Sequence, residues 1–221
     1  MKKCLFVFLA LATLALPSIS MATQPDRGAY VSGFLGLTFP NDADVKSFNV
    51  NDKMEYDVGS YVGATGGYDF GWVRTEGELS YRRGNPSKVN DRLNGVTYDK
   101  LSDSGGLSII SMMGNAFVDI HNQSPFTPYL GGGLGFAAMT LNDTLGSTPT
   151  QRVIVFQGGD DTVFAWQLGA GVDYNITKMF SVDLGYRFFS TATAHFNKAS
   201  LAEYDLKFQS HNLALALRLK F

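Results

Sequence analysis

Arg74, Glu76, Glu78 and Arg82 stand at i, i+2, i+4 and i+8. Residues two apart on an extended chain point the same way, so a single strand would carry two carboxylates and two guanidiniums on one face. Such groups exchange strong, charge-assisted hydrogen bonds. Buried together they make a salt-bridge plug; exchanging partners they would line a gated, narrow pore. Asp119, Asp173, Asp183, Arg187, Arg218 and Lys220 are expected on the equivalent faces of other strands. Asp183 and Arg187 are expected beside Arg218 and Lys220. A buried charge left without a partner costs several kcal/mol, so the ten residues call for a closed, mutually paired interior.

Other chemistry has thinner support. There are three histidines. His121 falls in a short turn, and His211 opens the last strand, where it is expected to face inward. His195 lies in a polar segment near Ser200 and Glu203. Nucleophilic catalysis needs base and hydroxyl within hydrogen-bond reach, together with an oxyanion site, and nothing in AHFNKAS prescribes that arrangement. Asp42, Asp44, Asp52, Glu55 and Asp57, like Asp160 and Asp161, read as solvated loop acids, since calcium-loop spacing is missing. Gly131–Gly135 lacks the lysine and helix of a phosphate loop. The expectation is therefore a protein that is not an enzyme, with no catalytic, cofactor-binding or metal-ligating set and no cofactor.

The elements that must position the ten charges are strands. Period-2 alternation runs through the chain after residue 22, punctuated by turn residues. It predicts strands near 28–39, 58–70, 73–82, 107–120, 128–140, 162–174, 180–189 and 208–221. The connections Phe70–Val73, His121–Thr127 and Asn175–Met179 are short. Those over 40–57, 83–106, 141–161 and 190–207 are long and polar, and Arg152–Gln157 alternates enough to extend the hairpin of strands five and six. An even number of strands with short and long connections in alternation is the plan of an up-and-down barrel spanning an outer membrane.

Composition narrows the class. Charged residues make up 17% of the 221, with 24 Gly, 17 Phe, 10 Tyr and one Cys. The aromatic content and net charge of −2 argue against disorder, and a lone Cys supports no disulfide framework. No apolar run is long enough for a membrane-crossing helix, and no basic block suggests nucleic acid. Residues 1–22 read as a cleaved signal peptide: Lys2 and Lys3 precede the apolar run Leu5–Leu16, and Ser20 and Ala22 suit the −3 and −1 positions. Residues 23–221 are then one exported domain.

The faces separate a membrane barrel from a soluble one. One face of each predicted strand is apolar and aromatic without a charge, as in Val31, Leu35, Leu37 and Phe39 of the first and Ile110, Met112, Ala116, Val118 and Ile120 of the fourth. The other face holds the ten charges and many glycines, including Gly63, Gly131, Gly133, Gly135, Gly169 and Gly171, which are expected to make room for the arginines. About 10 residues rise about 33 Å, and a tilt of about 40° leaves the roughly 25 Å of a membrane band. The reading is all-β, an eight-stranded antiparallel transmembrane barrel with its charges inside and its apolar face on lipid. At the C-terminus Leu213, Leu215, Leu217, Leu219 and Phe221 alternate with Asn212, Ala214, Ala216, Arg218 and Lys220. This terminal Phe on an alternating strand resembles the signal read by the outer-membrane barrel-assembly machinery.

The segments GAYVSGFLGLTF (28–39), RTEGELSYR (74–82), LSIISMMGNAFVDI (107–120), TPYLGGGLGFA (127–137), WQLGAGVDY (166–174) and FSVDLGYRFF (180–189) together resemble the outer-membrane β-barrel family that includes opacity-type surface proteins and the transmembrane half of OmpA-like proteins. The resemblance implies an integral outer-membrane protein of a Gram-negative envelope, surrounded by lipid and lipopolysaccharide. Members serve as structural proteins, adhesins, antigens and narrow pores. The chain departs from full-length OmpA-like proteins in ending at strand eight, so tethering to peptidoglycan is not expected. The expected role is envelope structure and surface display, with a surface ligand bound through the long loops and a charge-plugged lumen. A narrow passive pore is the alternative, and a lipid A-modifying enzyme a distant third.

Overall fold

The computed structural model describes residues 27–41, 43–47, 50–84, 86–91, 96–99, 106–142, 144–147, 152–156, 159–196 and 204–221. The signal peptide expected over 1–22 lies outside them, as do Ser200 and Glu203. Eight long strands form a closed antiparallel barrel. They are β1 (Gly28–Pro40), β2 (Gly59–Asp69), β3 (Val73–Gly84), β4 (Leu107–Asp119), β5 (Phe126–Leu141), β6 (Gly159–Asn175), β7 (Phe180–Thr191) and β8 (Gln209–Lys220). Each strand pairs with its sequence neighbours, and β1 closes on β8 from Tyr30 opposite Lys220 to Pro40 opposite Ser210. Closure pairs every strand edge, which a lipid environment requires.

Turn chemistry fixes the short connections. Gly71, at φ 107°, takes a conformation that side chains rarely adopt, and its N–H donates to Asp69 Oδ1 at 2.7 Å. Asn122 Oδ1 accepts from the N–H and the hydroxyl of Ser124 at 2.7 and 2.6 Å. Thr177 Oγ1 accepts from the N–H of Phe180 at 3.0 Å. These turns gather at one end of the barrel, the end that the plan of short periplasmic turns and longer external loops puts in the periplasm.

The long connections are more ordered than polar loops. Segments 194–196, 204–206, 43–47, 50–56, 86–91 and 96–99 pair in that order as a six-stranded sheet beyond the external rim. Segments 144–147 and 152–156 pair with each other above β5 and β6, as the alternation at Arg152–Gln157 suggested.

The outer face is apolar. Leu35 and Met112 are 70% and 71% exposed, an exposure that suits lipid. Aromatic belts flank the aliphatic band, as in other membrane barrels. Tyr68, Phe70, Trp72, Phe126 and Tyr174 mark the periplasmic side, with Phe126 and Tyr174 rings 4.8 Å apart. Phe136, Phe164, Trp166 and Phe188 mark the external side. His211 belongs to this second belt. It was expected inside, but it shares the parity of Leu213 and Leu215, lies 5.2 Å from the ring of Phe188, and Nδ1 is 2.6 Å from the hydroxyl of Tyr186.

Candidate functional site

The charged lumen is the candidate site. Arg74, Glu76, Glu78, Arg82, Asp119, Asp173, Asp183, Arg187 and Arg218 are all buried inside the barrel, and the side chain of Lys220 is 22% exposed at the periplasmic mouth. Five cations thus face five carboxylates.

The centre is held by Glu76 and Glu78. Arg187 reaches across from β7, its Nη2 3.0 Å from Glu76 Oε1 and its Nε 3.6 Å from Glu78 Oε2. Glu78 also accepts from the Tyr61 hydroxyl at 2.9 Å, Gln167 Nε2 at 2.9 Å and Asn115 Nδ2 at 3.1 Å. Glu76 accepts from the Tyr30 hydroxyl at 2.8 Å. On the external side Arg82 lies 3.7 Å from Glu78 and donates to Ser80 and Ser111 at 3.0 and 2.7 Å. On the periplasmic side Arg218 meets Asp173 at 3.0 Å and Arg74 meets Asp119 at 3.6 Å. Lys220 lies 3.6 Å from Asp173 and donates to Asn175 at 2.7 Å.

Of the expected grouping of Asp183 and Arg187 with Arg218 and Lys220, the structure keeps Asp183 beside Arg218, since Asp183 stands opposite Ala216 two residues away on the same face, but not Arg187. The β7–β8 register puts Arg187 opposite Asn212 and Arg218 opposite Ser181. Arg187 is long enough to cross the lumen instead. Asp183 accepts from the Tyr129 hydroxyl at 3.0 Å.

The inward glycines make room chiefly for rings, and the rings carry the guanidiniums. A Cβ at Gly63 would stand 2.5 Å from Phe34, at Gly131 2.8 Å from Phe117, and at Gly171 2.5 Å from the Tyr129 hydroxyl. Arg74 lies over Tyr129 at 4.2 Å, Arg82 over Tyr61 at 4.3 Å and Phe189 at 4.0 Å, and Arg218 over Tyr30 at 4.8 Å. Desolvated cation–π contacts of this kind reach about 2 kcal/mol each. Tyr30, Tyr61, Tyr129, Asn115 and Gln167 are therefore part of the network, though the sequence reading did not single them out. Their parity with the charges was the available signal: Asn115 and Phe117 precede Asp119 by four and two residues.

The external third of the lumen is different again. Leu107, Ile109, Met113, Ala137, Met139, Leu141, Val163, Ala165 and Phe189 point inward there, and Ala194, Phe196, Leu206 and Phe208 pack onto them. Sequence alternation missed this layer because both faces are apolar at that level, as at Ile109 and Ile110.

At the rim, His195 Nδ1 lies 2.5 Å from Asp205 Oδ1, and the His195 N–H donates to Asp161 Oδ2 at 2.8 Å. The imidazole is thus engaged by a carboxylate from the paired segment 204–206. Among the described residues, no cluster of three or more His, Cys, Asp and Glu side chains is arranged to hold a metal ion.

The barrel, its lipid-facing belts and its charged interior agree with a comparison of whole sequences. A family model described as outer membrane protein beta-barrel domain matches residues 6–219. The chain belongs to this family. It is an integral protein of the bacterial outer membrane, as the motifs quoted from its strands implied. An uncharacterized protein of Brucella suis is 31% identical over 194 residues, covering 73% of this chain and 67% of that protein. Outer membrane protein PagN of Salmonella typhimurium is 26% identical, with 91% of this chain and 93% of PagN covered. A candidate adhesin of Rickettsia prowazekii is 23% identical over 99% of both chains. The crystal structure of OprG from Pseudomonas aeruginosa has the same fold, with a TM-score of 0.58 at 17% identity, covering 90% of this chain and 99% of OprG.

In this outer-membrane barrel, Leu213, Leu215, Leu217 and Phe221 of the proposed assembly signal face outward, and Leu219 is half-buried.

Proposed function

We propose that this outer-membrane barrel is a non-enzymatic surface-display protein, structural in the envelope and adhesive through its external segments. The observation that supports this reading most is the six-stranded sheet beyond the rim. It collects segments from three of the four long connections into one hydrogen-bonded unit. Backbone pairing holds these segments to one another, as binding segments on rigid scaffolds require. The likeness to a candidate adhesin over nearly the whole chain points the same way. Lipopolysaccharide around the outer leaflet, and the barrel-assembly machinery during insertion, are the further partners proposed.

The test is adhesion. Bacteria displaying the full chain should attach to an epithelial monolayer, and replacement of 86–99 by a short turn should abolish attachment while heat-modifiable gel mobility persists. Equal attachment by both would overturn the display reading. The narrow-pore alternative is tested by single-channel recording of the refolded protein, in which discrete conductance sensitive to Glu76→Gln would favour a pore.

A further inference from the structure

We infer that the lumen is a blind, hydrated vestibule open to the periplasm, and that the apolar layer under the external rim, not the salt-bridge network, is the seal. The two ends of the lumen differ in kind. In the lower part many buried polar atoms lack a hydrogen-bond partner: Asp119 Oδ1, Asp173 Oδ1, Asp183 Oδ2, Ser181 Oγ, Arg74 Nη1 and Arg218 Nε. Native proteins satisfy such atoms, by water where protein cannot reach. Several ion pairs are also slightly too long for direct hydrogen bonds, at 3.6 Å for Arg74–Asp119 and for Lys220–Asp173, a separation at which bridging water is the usual partner. A cavity of about 270 Å³ lies at the periplasmic mouth, lined by Arg27, Tyr30, Asp69 and Lys220 among others, and Tyr30 and Lys220 belong to the network above it.

Above Arg82 the chemistry changes. Phe189 lies directly on the Arg82 guanidinium, 4.0 Å from its carbon. Ala137, Met139, Ala165, Phe196 and Phe208 beyond it are 0–2% exposed. The polar groups at that level mostly satisfy one another: Asn212 Nδ2 donates to the Arg187 carbonyl at 3.0 Å, and Phe208 N–H donates to Thr191 Oγ1 at 3.1 Å. Thr38 Oγ1 on β1 is one exception, and Arg82 Nε and Nη2, at the lower boundary of the layer, are others. Water has little to bind there, and a packed apolar constriction blocks ions by staying dry. The inference is independent of whether the external sheet binds a cell.

The test uses thiol labelling. The only cysteine is Cys4, inside the segment read as a cleaved signal, so single cysteines can be placed in the mature barrel refolded in detergent, where both mouths meet solvent. A small cationic methanethiosulfonate should modify Ser181→Cys, while Ala165→Cys should stay protected until urea unfolds the barrel. Protection of both would mean a dry lower lumen, and modification of both a leaky mouth; either overturns the inference. Planar-bilayer recording gives a second readout. The double variant Phe189→Ala/Phe208→Ala, if its unboiled mobility shows it folded, should conduct, while Glu76→Gln/Arg187→Met should remain silent. The reverse pattern, or a folded and silent Phe189→Ala/Phe208→Ala variant, would place the seal in the charges.

Discussion

The lower lumen and the external mouth are filled by the same eight strands, yet they are held together differently. Below, ten ionisable groups balance in sign, and their guanidiniums rest on aromatic rings seated in the space of inward glycines. Above, methionine, leucine and phenylalanine pack as in a soluble core. A narrow barrel can be filled either way, but the consequences diverge. A paired charge network tolerates loss of one member badly, since the partner stays buried and unpaired. An apolar layer loses only transfer energy and the cavity left behind. The charged zone is therefore the brittle one, and the apolar zone the tight one.

The sharpest way to break this comparison is to remove the central carboxylate. Glu78→Ala strands Arg82 and takes from Arg187 one of its two carboxylates, so urea unfolding in lipid should show a loss of about 3–5 kcal/mol. Phe208→Ala, in the apolar layer, should cost about 3 kcal/mol and leave the charged zone intact. If it costs more than Glu78→Ala, the assignment of brittleness is wrong. Outside both zones, Leu215→Arg puts a charge on the lipid face near mid-membrane and should cost about 2–3 kcal/mol, lowering the yield of heat-modifiable barrel. Tyr129→Phe removes the donor to Asp183 without disturbing the ring under Arg74, and about 1–2 kcal/mol is expected. The smallest effect belongs to the rim. His195 and Asp205 side chains are 45% and 41% exposed, and such pairs contribute about 0–1 kcal/mol. His195→Ala should thus leave the unfolding midpoint nearly unchanged, and what little it costs should vanish in high salt, whereas the penalty of Glu78→Ala should not.

The alternating pattern settled the eight strands, their inward and outward faces and the membrane they cross, because side-chain direction along a strand has a strict period of two and the lipid-facing set excludes charge. The burial of Arg74, Glu76, Glu78 and Arg82 on one face followed from that period alone. The strands beyond the rim were not legible, apart from the 144–156 hairpin, because short polar segments such as 86–91 gain their order from pairing with distant ones such as 50–56. His211 was assigned to the wrong face because it was read apart from the parity of Leu213. Partner choice in the lumen was also beyond sequence. Alternation says which residues enter the interior, but whether Arg187 meets a neighbour on β8 or Glu76 across the barrel depends on strand register and on the Phe34 and Phe117 rings, 5.8 and 5.5 Å from its guanidinium. The apolar seal was hidden for a related reason. Where both faces of a strand are apolar, periodicity carries no information, and only closure of the barrel decides which of Ile109 and Ile110 meets lipid and which meets Met139.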